Sequence, residues 1–465
     1  MRRAVVDWLA CGVFTLIVGW QVMGPPIVGL ANNGDFGKVL GMFGLTAPTE
    51  NEFKFLSITY HWDRHYYFRS GYVTSEQLLA SVAVGVSRPF MPPGMLDIRF
   101  IGAVHGALYL AAFYLLVPLL RGMRRSARIG VYAFLILVFS DTMYVSWLNT
   151  FYMDAAAMVF LLLSIVFYAR AMAWNRRADL IGFAVCAALF AAAKLQHSPL
   201  AVVIAALAAI TLPRAYRYWA PAVILAGAAV PMIFVESGYG AMAMYNTIFF
   251  EILPRSHAVD QDLADLGLDQ SYRRWVGTHS FSEGSPMIDP AFSRDFSSRT
   301  SELKVLRYFL FHPHRTFEII VARLNDAGQE RQPMGTLERA PGRKDYARSN
   351  YFSLWSRAKA EVFWDRGRLW LSFLVLSWAG LFTALVRRRR SIYPGLCLAA
   401  MGTGALLIAT LGDVLEVIRH LFLFTLLTDL TVVCAIVVAA VPQAVAHCEI
   451  RANTSSKASS AGAGG

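Results

Sequence analysis

Charged residues are scarce in this chain of 465 residues, and that shortage defines its class. Only 16% of the residues are Asp, Glu, Lys or Arg, whereas 56% are hydrophobic and the mean hydropathy is +0.46. A soluble domain carries about a quarter of charged residues. The composition therefore excludes a cytosolic enzyme, a disordered tail protein and a secreted disulfide scaffold, and it predicts a membrane protein with many spans.

Cysteine is rare as well, and none of the five lies where a disulfide framework would need it. Cys11, Cys186, Cys397 and Cys434 fall within apolar runs, and Cys448 falls in the C-terminal tail. The polar loops therefore hold no cysteine pair. The sequence also lacks a nucleotide-binding glycine loop, an HExxH motif and a CxxC pair. The chemistry must be sought in other residues.

Apolar runs dominate what remains, and ten of them approach the length needed to cross about 30 Å of hydrocarbon. They predict an all-α polytopic protein with about ten transmembrane helices. The runs are 5–23, 98–120, 129–148, 155–173, 180–193, 199–212, 220–235, 369–386, 392–411 and 421–441. The fifth and sixth are short and could form one broken span, so the predicted count carries an error of about two.

The positive charge of the chain, +12 overall, lies in the short segments on one side of these runs. The segment between the seventh and eighth runs, in contrast, has almost equal numbers of acidic and basic residues. This asymmetry follows the positive-inside rule and places both termini in the cytoplasm. It also excludes nucleic-acid binding, which requires a basic stripe on one domain. The first run resembles a signal peptide, but we interpret it as an uncleaved anchor.

The runs divide the chain into modules. Residues 1–235 form an N-terminal transmembrane module of about seven spans, with a periplasmic first loop at 31–97. Residues 236–368 form a long periplasmic loop or subdomain, 369–441 form the C-terminal spans, and 442–465 form a disordered cytoplasmic tail. Within the two loops, apolar spacing predicts helices over 74–86, 302–311 and 315–325.

Two carboxylates at the predicted outer membrane boundary are candidates for catalysis. Asp35 lies in the segment NNGDFGK directly after the first run, where it could accept a proton from a hydroxyl or bind a divalent cation. The structural alternative is an Asx turn or a helix N-cap. Asp154 ends the segment NTFYMD and begins a long apolar run, so it could equally serve as a capping residue.

Basic residues at the same boundary are candidates for binding an anion. Lys194, with Gln196 and His197 beside it, interrupts an apolar stretch, where an ammonium needs an anionic partner or a route to the interface. Between the last two runs, the segment GDVLEVIRH carries four ionisable residues: Asp413, Glu416, Arg419 and His420. Arg419 suits phosphate recognition, and the alternative is an internal salt bridge with Asp413 or Glu416.

These motifs, taken in order, resemble the GT-C superfamily of polytopic glycosyltransferases, and more narrowly the bacterial membrane hexose transferases of surface-glycan assembly. The resemblance rests on NNGDF, on SD…Y…NTFYMD, on AKLQH, on YNTIFFEIL followed by LGL, and on GD…RHL. It covers most of the chain, although each motif is short. It implies a GT-C-like fold in the bacterial inner membrane, with the active site on the periplasmic face.

The resemblance implies a polyprenyl-phosphate-linked sugar as donor and a cell-envelope glycan, glycolipid or protein as acceptor. Asp35 and Asp154 map to the two acidic positions of such enzymes. They are the predicted catalytic residues, and they are also the candidate ligands of a divalent cation such as Mg²⁺ or Mn²⁺. Lys194, Arg419 and His420 are predicted to bind the donor phosphate. Candidates for contact with the sugar or acceptor are Asn33, Tyr152, Gln196, His197, Asp413 and Glu416.

Two other classes share some of these features. An O-antigen polymerase or ligase also uses outer Arg and His residues and a long periplasmic loop, but it would not need Asp35 or Asp154. A transporter or flippase of lipid-linked sugars should show inverted repeats and polar residues near the midplane. No internal repeat is present in the sequence, and its unusual polar residues gather at one boundary.

Overall fold

The computed structural model describes residues 2–46, 53–63, 65, 72–235, 238–412 and 414–441. This part of the chain contains twenty α-helices and three short strands. The helices are α1 (Arg2–Met23), α2 (Gly37–Leu40), α3 (Ser75–Ser87), α4 (Arg99–Leu120), α5 (Arg125–Phe139), α6 (Thr142–Val145), α7 (Met153–Trp174), α8 (Arg177–Ala191), α9 (Ser198–Thr211), α10 (Trp219–Ile233), α11 (Tyr239–Tyr245), α12 (Val259–Asp265), α13 (Pro290–Arg299), α14 (Glu302–Phe311), α15 (Pro313–Ala327), α16 (Leu354–Phe363), α17 (Gly367–Arg387), α18 (Tyr393–Leu411), α19 (Val417–His420) and α20 (Phe422–Ala440). The strands are β1 (Leu45–Thr46), β2 (Thr59–Trp62) and β3 (Met95–Asp97).

Six stretches of helix are long and apolar enough to cross a membrane within the described residues. They are Ala4–Met23, Arg99–Leu120, Met153–Trp174, Gly367–Arg387, Tyr393–Leu411 and Val417–Ala440. Four further helices, α5, α8, α9 and α10, have 14 or 15 residues each. At 1.5 Å per residue they are about 21–23 Å long, which is shorter than the hydrocarbon core.

Each of the ten apolar runs found in the sequence forms a helix, but the run 129–148 is not a single one. α5 ends at Phe139, and the chain turns at Asp141, which caps the one-turn helix α6. The Asp141 carboxylate accepts hydrogen bonds from the backbone N–H groups of Met143 and Ser356, both at 2.9 Å. A side chain that binds local backbone N–H groups competes with helix continuation, which explains the break.

The long helices form a closed bundle in which α7 and α20 are the most buried. Neighbours in contact are α1 with α4, α4 with α7, α7 with α8, α8 with α10, α10 with α9, α9 with α18, α18 with α20, α20 with α5 and α5 with α1. About two thirds of the most apolar window of α7 and of the α19–α20 stretch is buried inside the protein. Helices that are apolar on every side belong in such an interior.

One end of the bundle carries the loops, and we call it the loop end. At this end α1, α5, α8, α10 and α18 terminate, and α4, α7, α9, α17 and α20 begin. The basic turns lie at the opposite end. There Asp7 pairs with Arg121 at 3.2 Å and with Arg128 at 3.4 Å, and Arg170 pairs with Asp179 at 2.7 Å. The charge asymmetry of the sequence is therefore an asymmetry between the two ends of the bundle.

The first loop contains a three-stranded antiparallel sheet of order β1-β2-β3 and the helix α3. The sequence predicted that helix at 74–86, and α3 confirms it. Thr74 caps α3 by accepting a hydrogen bond from the Glu76 backbone N–H, and Gln77 completes a capping box. α3 packs against α4 and α7, so the first loop rests on the buried part of the bundle.

The long loop between α10 and α17 has two parts with different cores. Residues 245–319 build their own apolar core around Tyr245, Phe249 and Phe296. The segment YNTIFFEIL lies here, and its residues Asn246–Ile252 form a π-helix. α14 and α15 confirm the two helices predicted for this loop. Residues 324–363, in contrast, pack through Leu324, Ala327, Met334 and Phe363 into the core of the bundle.

Residues 335–338 of the long loop, which we call the strap, cross the first loop and the segment before it. The backbone N–H groups of Gly29 and Ala31 donate to the carbonyls of Thr336 and Gly335, at 3.0 and 2.9 Å. The Gly335 N–H donates to the Phe53 carbonyl at 2.9 Å. A Cβ atom on Gly335 would lie 2.0 Å from the Lys54 carbonyl oxygen, so glycine is required at this crossing. The strap thereby fixes the segment that follows α1.

Candidate functional site

Asp35 lies in a tight turn that the preceding asparagines build. The Asn32 side-chain oxygen accepts hydrogen bonds from the backbone N–H groups of Gly34 and Phe36, at 2.8 and 3.2 Å. The Asn33 side-chain oxygen accepts from the Asp35 N–H at 3.0 Å. The Asx turn proposed as the structural alternative for Asp35 is thus made by its two neighbours, and the Asp35 carboxylate itself remains available for the site.

Two cations hold the Asp35 carboxylate. Its Oδ2 atom lies 2.6 Å from Nη1 of Arg419, and its Oδ1 atom lies 2.9 Å from Nζ of Lys38. Burial alone would raise the pKa of Asp35, but the positive charges of Arg419 and Lys38 outweigh burial and hold that pKa well below 3.8. Asp35 is therefore ionised at neutral pH.

Arg419 is the centre of the site. Its side chain is 6% exposed, and its guanidinium carbon lies 5.1 Å from the centre of the Tyr152 ring. On the side away from Asp35, Nη2 contacts Oε2 of Glu416 at 2.8 Å and lies 3.5 Å from Nε2 of His420. The other ring nitrogen of His420 lies 3.4 Å from Nε2 of Gln196. The residues of the GDVLEVIRH segment thus face those of the first loop and of the AKLQH segment.

Lys194 and Asp154 form a second, more deeply buried ion pair beside the first. The Lys194 Nζ atom contacts both carboxylate oxygens of Asp154, at 3.1 and 3.2 Å. Their side chains are 6% and 4% exposed. Lys194 also acts electrostatically on Asp35, and Arg419 acts on Asp154. The two pairs therefore form one charged cluster, assembled from four segments that are far apart in the sequence.

The helix arrangement explains why these segments meet. Asp154 lies in the first turn of α7, Lys194 precedes α9, and Arg419 precedes α20. All three helices begin at the loop end, and their N-terminal dipole ends favour negative charge there. Together with the cations, they make this end of the bundle a site suited to an anion.

Tyr152 and His197, which were candidates for contact with the sugar or acceptor, contact other parts of the protein. The Tyr152 hydroxyl donates to the Ala31 carbonyl at 2.9 Å and accepts from the Asn33 N–H at 3.0 Å, so it holds the Asp35 turn in place. The His197 ring stacks on Phe190 with 5.3 Å between ring centres and is buried. Of the remaining candidates for sugar contact, Asn33 donates from Nδ2 to Oε2 of Glu416 at 2.5 Å. Asp413 lies outside the described residues.

A comparison with protein families identifies the chain. The model of the YfdI N-terminal transmembrane domain matches residues 2–459, which is nearly the whole chain. The chain belongs to this family. It is therefore a membrane protein, in agreement with its composition and with the six long apolar helices. No curated protein and no solved structure matches it significantly.

In this YfdI-family protein, the residues proposed as metal ligands do not offer a free ligand set. Arg419 and Lys38 occupy the oxygens of Asp35, and Lys194 occupies those of Asp154. A divalent cation would have to displace all three cations, so the donor set does not fit one. Among the described residues, the His, Asp and Glu side chains close enough to share a metal ion are Asp262, Asp265 and His312. Both Asp262 oxygens there contact Nη1 of Arg315.

Two charged residues near the site, Lys38 and Glu76, have roles that the sequence alone does not predict. Lys38 stands within the NNGDFGK segment, but its role depends on the turn that brings it back to Asp35. Glu76 lies in the first turn of α3, where an acidic residue is ordinary. In the structure its Oε1 lies 3.0 Å from Nε2 of His105, and its Oε2 accepts from the Ala156 N–H at 3.1 Å, which ties α3 to α4 and α7.

A second buried charge cluster, between the long loop and α20, is not predicted by the sequence. Lys359 contacts Glu330 at 2.9 Å and Asp429 at 3.0 Å, and Asp429 accepts hydrogen bonds from Tyr144 and Trp355 at 2.7 and 2.8 Å. An acidic residue inside the apolar run 421–441 was the available signal, because carboxylates within spans are costly and require partners. The cluster connects the long loop to α20.

Proposed function

We propose that this protein is a glycosyltransferase of the GT-C type. It would move a sugar from a polyprenyl-phosphate donor to a glycan, glycolipid or protein acceptor on the periplasmic face of the bacterial inner membrane. The observation that carries the proposal is the meeting of Asp35, Arg419, Lys38 and the Lys194–Asp154 pair at the loop end of an apolar bundle. A lipid-linked donor needs this combination of a lipid-facing surface, interfacial cations and a carboxylate.

The proposed topology has ten spans, with both termini in the cytoplasm and the loop end outside. Four of these spans would be the short helices α5, α8, α9 and α10. Non-helical backbone at membrane depth is tolerated where protein covers it. Residues 140–152, which follow α5, are all buried, and Lys194 between α8 and α9 is buried too. Such segments can complete the crossing that the helices alone do not span.

The proposed reaction is a direct displacement at the anomeric carbon. The acceptor oxygen forms a bond to that carbon, the bond from the carbon to the phosphate oxygen breaks, and the acceptor proton passes to Asp35. The products are the glycosylated acceptor and polyprenyl phosphate, with inversion of configuration. Arg419, Lys38 and Lys194 stabilise the negative charge that accumulates on the leaving phosphate.

The pairing of Asp35 with two cations has a consequence for this mechanism. A carboxylate with a strongly lowered pKa is a weak base. When the donor phosphate shares Arg419 and Lys38, their hold on Asp35 weakens and its pKa rises toward the ordinary value. The carboxylate would therefore gain basicity when the donor is bound. In this proposal Asp154 keeps the Lys194 ammonium buried and oriented, and it acts as a positioning residue.

The test is a transfer assay with the purified full-length protein in lipid nanodiscs, supplied with a panel of polyprenyl-phosphate sugars and an envelope glycolipid acceptor. We expect transfer from at least one donor, and a loss of at least about 100-fold in Asp35→Asn, since acid–base groups contribute that much. Asp63→Asn, in the same loop but outside the cluster, is the matched control. A chelator should leave the rate unchanged.

The rival classes give different results in this assay. Full activity of Asp35→Asn would overturn the proposed role of Asp35 and favour a polymerase or ligase that relies on Arg419. Movement of the lipid-linked sugar across the bilayer of sealed proteoliposomes, with no transfer in nanodiscs, would instead indicate a transporter. The meeting of Asp35, Lys194 and Arg419 at the loop end, together with the absence of an internal repeat in the sequence, favours the transferase.

A further inference from the structure

The two outer edges of the Arg419 guanidinium are both occupied by carboxylates of the protein itself. Nη1 faces Asp35 and Nη2 faces Glu416. Carboxylates of the protein therefore occupy the paired N–H donors that would bind a phosphate. The Arg419 Nε and Nη1 atoms are buried and make no hydrogen bond to the described residues, so the close contact of Nη1 with Asp35 is an ion pair. A phosphate can therefore reach two N–H groups of Arg419 only if one carboxylate moves away.

The charges of the cluster also indicate that a carboxylate must move before a phosphate binds. Among the described residues, the cluster has three cations and three carboxylates, so the charges of its side chains sum to zero before any ligand arrives. The cations are Lys38, Lys194 and Arg419, and the carboxylates are Asp35, Asp154 and Glu416. A phosphodiester adds one negative charge, and the cluster's side chains add their own net positive charge to the attraction of the helix N-termini only after a carboxylate has left.

Glu416 is the carboxylate best placed to leave. Its side chain is 32% exposed, compared with 23% for Asp35 and 4% for Asp154. It lies between α18 and the one-turn helix α19, with φ at 50° and ψ at 40°. This left-handed conformation is unfavourable for a residue with a Cβ atom, and a change of backbone conformation there would relieve it.

The position of Glu416 also matches that of a phosphate oxygen. Its Oε2 atom accepts from Nδ2 of Asn33 at 2.5 Å and from Nη2 of Arg419 at 2.8 Å. These two donors come from different loops and point at one oxygen. When the carboxylate leaves, both donors become available together to a single incoming anionic oxygen.

We infer that Glu416 occupies the phosphate position of Arg419 in the ligand-free protein and is displaced when the donor phosphate binds. This inference rests on the proposed function, since it assumes that the ligand is a lipid-linked phosphate. Glu416 is thus a positioning residue that competes with the donor. It keeps Arg419 paired between turnovers, and it weakens donor binding by the free energy of its own ion pair.

The experiment measures binding of a short polyprenyl phosphate, farnesyl phosphate, to the full-length protein in nanodiscs by titration calorimetry. We expect Glu416→Gln to bind it about two- to fivefold more tightly than the wild type, because a partly exposed ion pair is worth up to about a factor of five in affinity. Glu416→Gly should show the same gain, and glycine accepts the left-handed conformation without strain. In the transfer assay, KM for the donor should fall while kcat stays unchanged.

Two controls make the outcomes distinguishable. Glu318→Gln neutralises an exposed glutamate on α15 and should leave the affinity unchanged, and farnesol should not bind better to any variant. Equal affinity of the wild type, Glu416→Gln and Glu416→Gly would overturn the inference while the proposed function stands. No binding of farnesyl phosphate to any variant would overturn both.

Discussion

Asp35 is a residue whose charge is set by its neighbours, and this predicts how pH acts on the protein. Its pKa in the folded protein is below the ordinary value of 3.8. The ion pairs of Asp35 therefore contribute stability that is fully present above about pH 4 to 5 and is lost as the pH falls further. Within the neutral range, Asp35 contributes no pH dependence.

The check compares the melting temperatures of the wild type and Asp35→Asn in nanodiscs from about pH 3 to pH 8. We expect the difference between the two proteins to stay constant from about pH 5 to pH 8 and to shrink below about pH 4. A difference that changes between pH 5 and pH 8 would show that Asp35 is not held by Arg419 and Lys38. Asp63→Asn again serves as the control.

At the scale of elements, the strap around Gly335 positions the Asp35 turn without touching it. Gly335→Ala places a Cβ atom 2.0 Å from the Lys54 carbonyl oxygen, so the strap and the first loop must separate. We expect the transfer rate to fall by at least about tenfold, because misplacing a catalytic group by about 1 Å has effects of this size or larger. The bundle should remain folded, since α7 and α20 do not depend on this crossing.

The transfer rate and the far-UV circular dichroism, which reports helix content, are measured on the same sample. Gly130→Ala is the matched control, because a Cβ atom on Gly130 in α5 meets no other group within 4 Å and alanine favours the helix. Normal transfer by Gly335→Ala would mean that the strap does not determine where Asp35 lies.

The elements also show what a sequence can predict. The helices of the ten apolar runs, α3, α14 and α15 follow from local apolar spacing and capping residues, which act over a few neighbours. The break at Asp141 could not be predicted from run length alone, because part of its cause is the backbone of Ser356, more than 200 positions away. The strap likewise has no local signal except a glycine.

For the candidate site, too, the sequence predicts some features and not others. Asp35, Asp154, Lys194 and Arg419 could be selected from the sequence because each interrupts apolar sequence at a predicted boundary. Their pairing could not be predicted, since it depends on which helices are neighbours in the bundle. Lys38 and Glu76 looked like ordinary loop and helix-start residues, and only the fold brings them to Asp35 and His105.

At the scale of the whole molecule, Lys359 connects the long loop to the buried helix α20. Removing its charge in Lys359→Met leaves Asp429 without its cation inside the bundle, and we expect a loss of about 3–5 kcal/mol in the free energy of unfolding. The double variant Lys359→Met/Asp429→Asn should recover a large part of this loss. Denaturant unfolding in mild detergent, followed by tryptophan fluorescence, measures both.

The loss of stability expected for Lys359→Met also depends on pH. Burial raises the pKa of Glu330 to about 7, against an ordinary value of 4.5, although Lys359 opposes the shift. A raised carboxyl pKa stabilises the folded protein below about pH 4.5, and this contribution is lost as the pH rises to about 7. Lys359→Met should therefore be less destabilising at pH 5 than at pH 8, and the reverse order would contradict this account of the cluster.

The orientation of the whole chain is the last property that can be tested directly. The proposed topology places the loop end outside the cell and the basic turns inside, because short basic loops stay in the cytoplasm. In a variant without native cysteines, Ser297→Cys in α13 and Ser391→Cys beside Arg390 provide one exposed thiol at each end. A membrane-impermeant maleimide applied to intact cells should label Ser297→Cys at once and Ser391→Cys only after the membrane is permeabilised. The opposite pattern would place Asp35 and Arg419 in the cytoplasm, where a periplasmic transfer reaction could not use them.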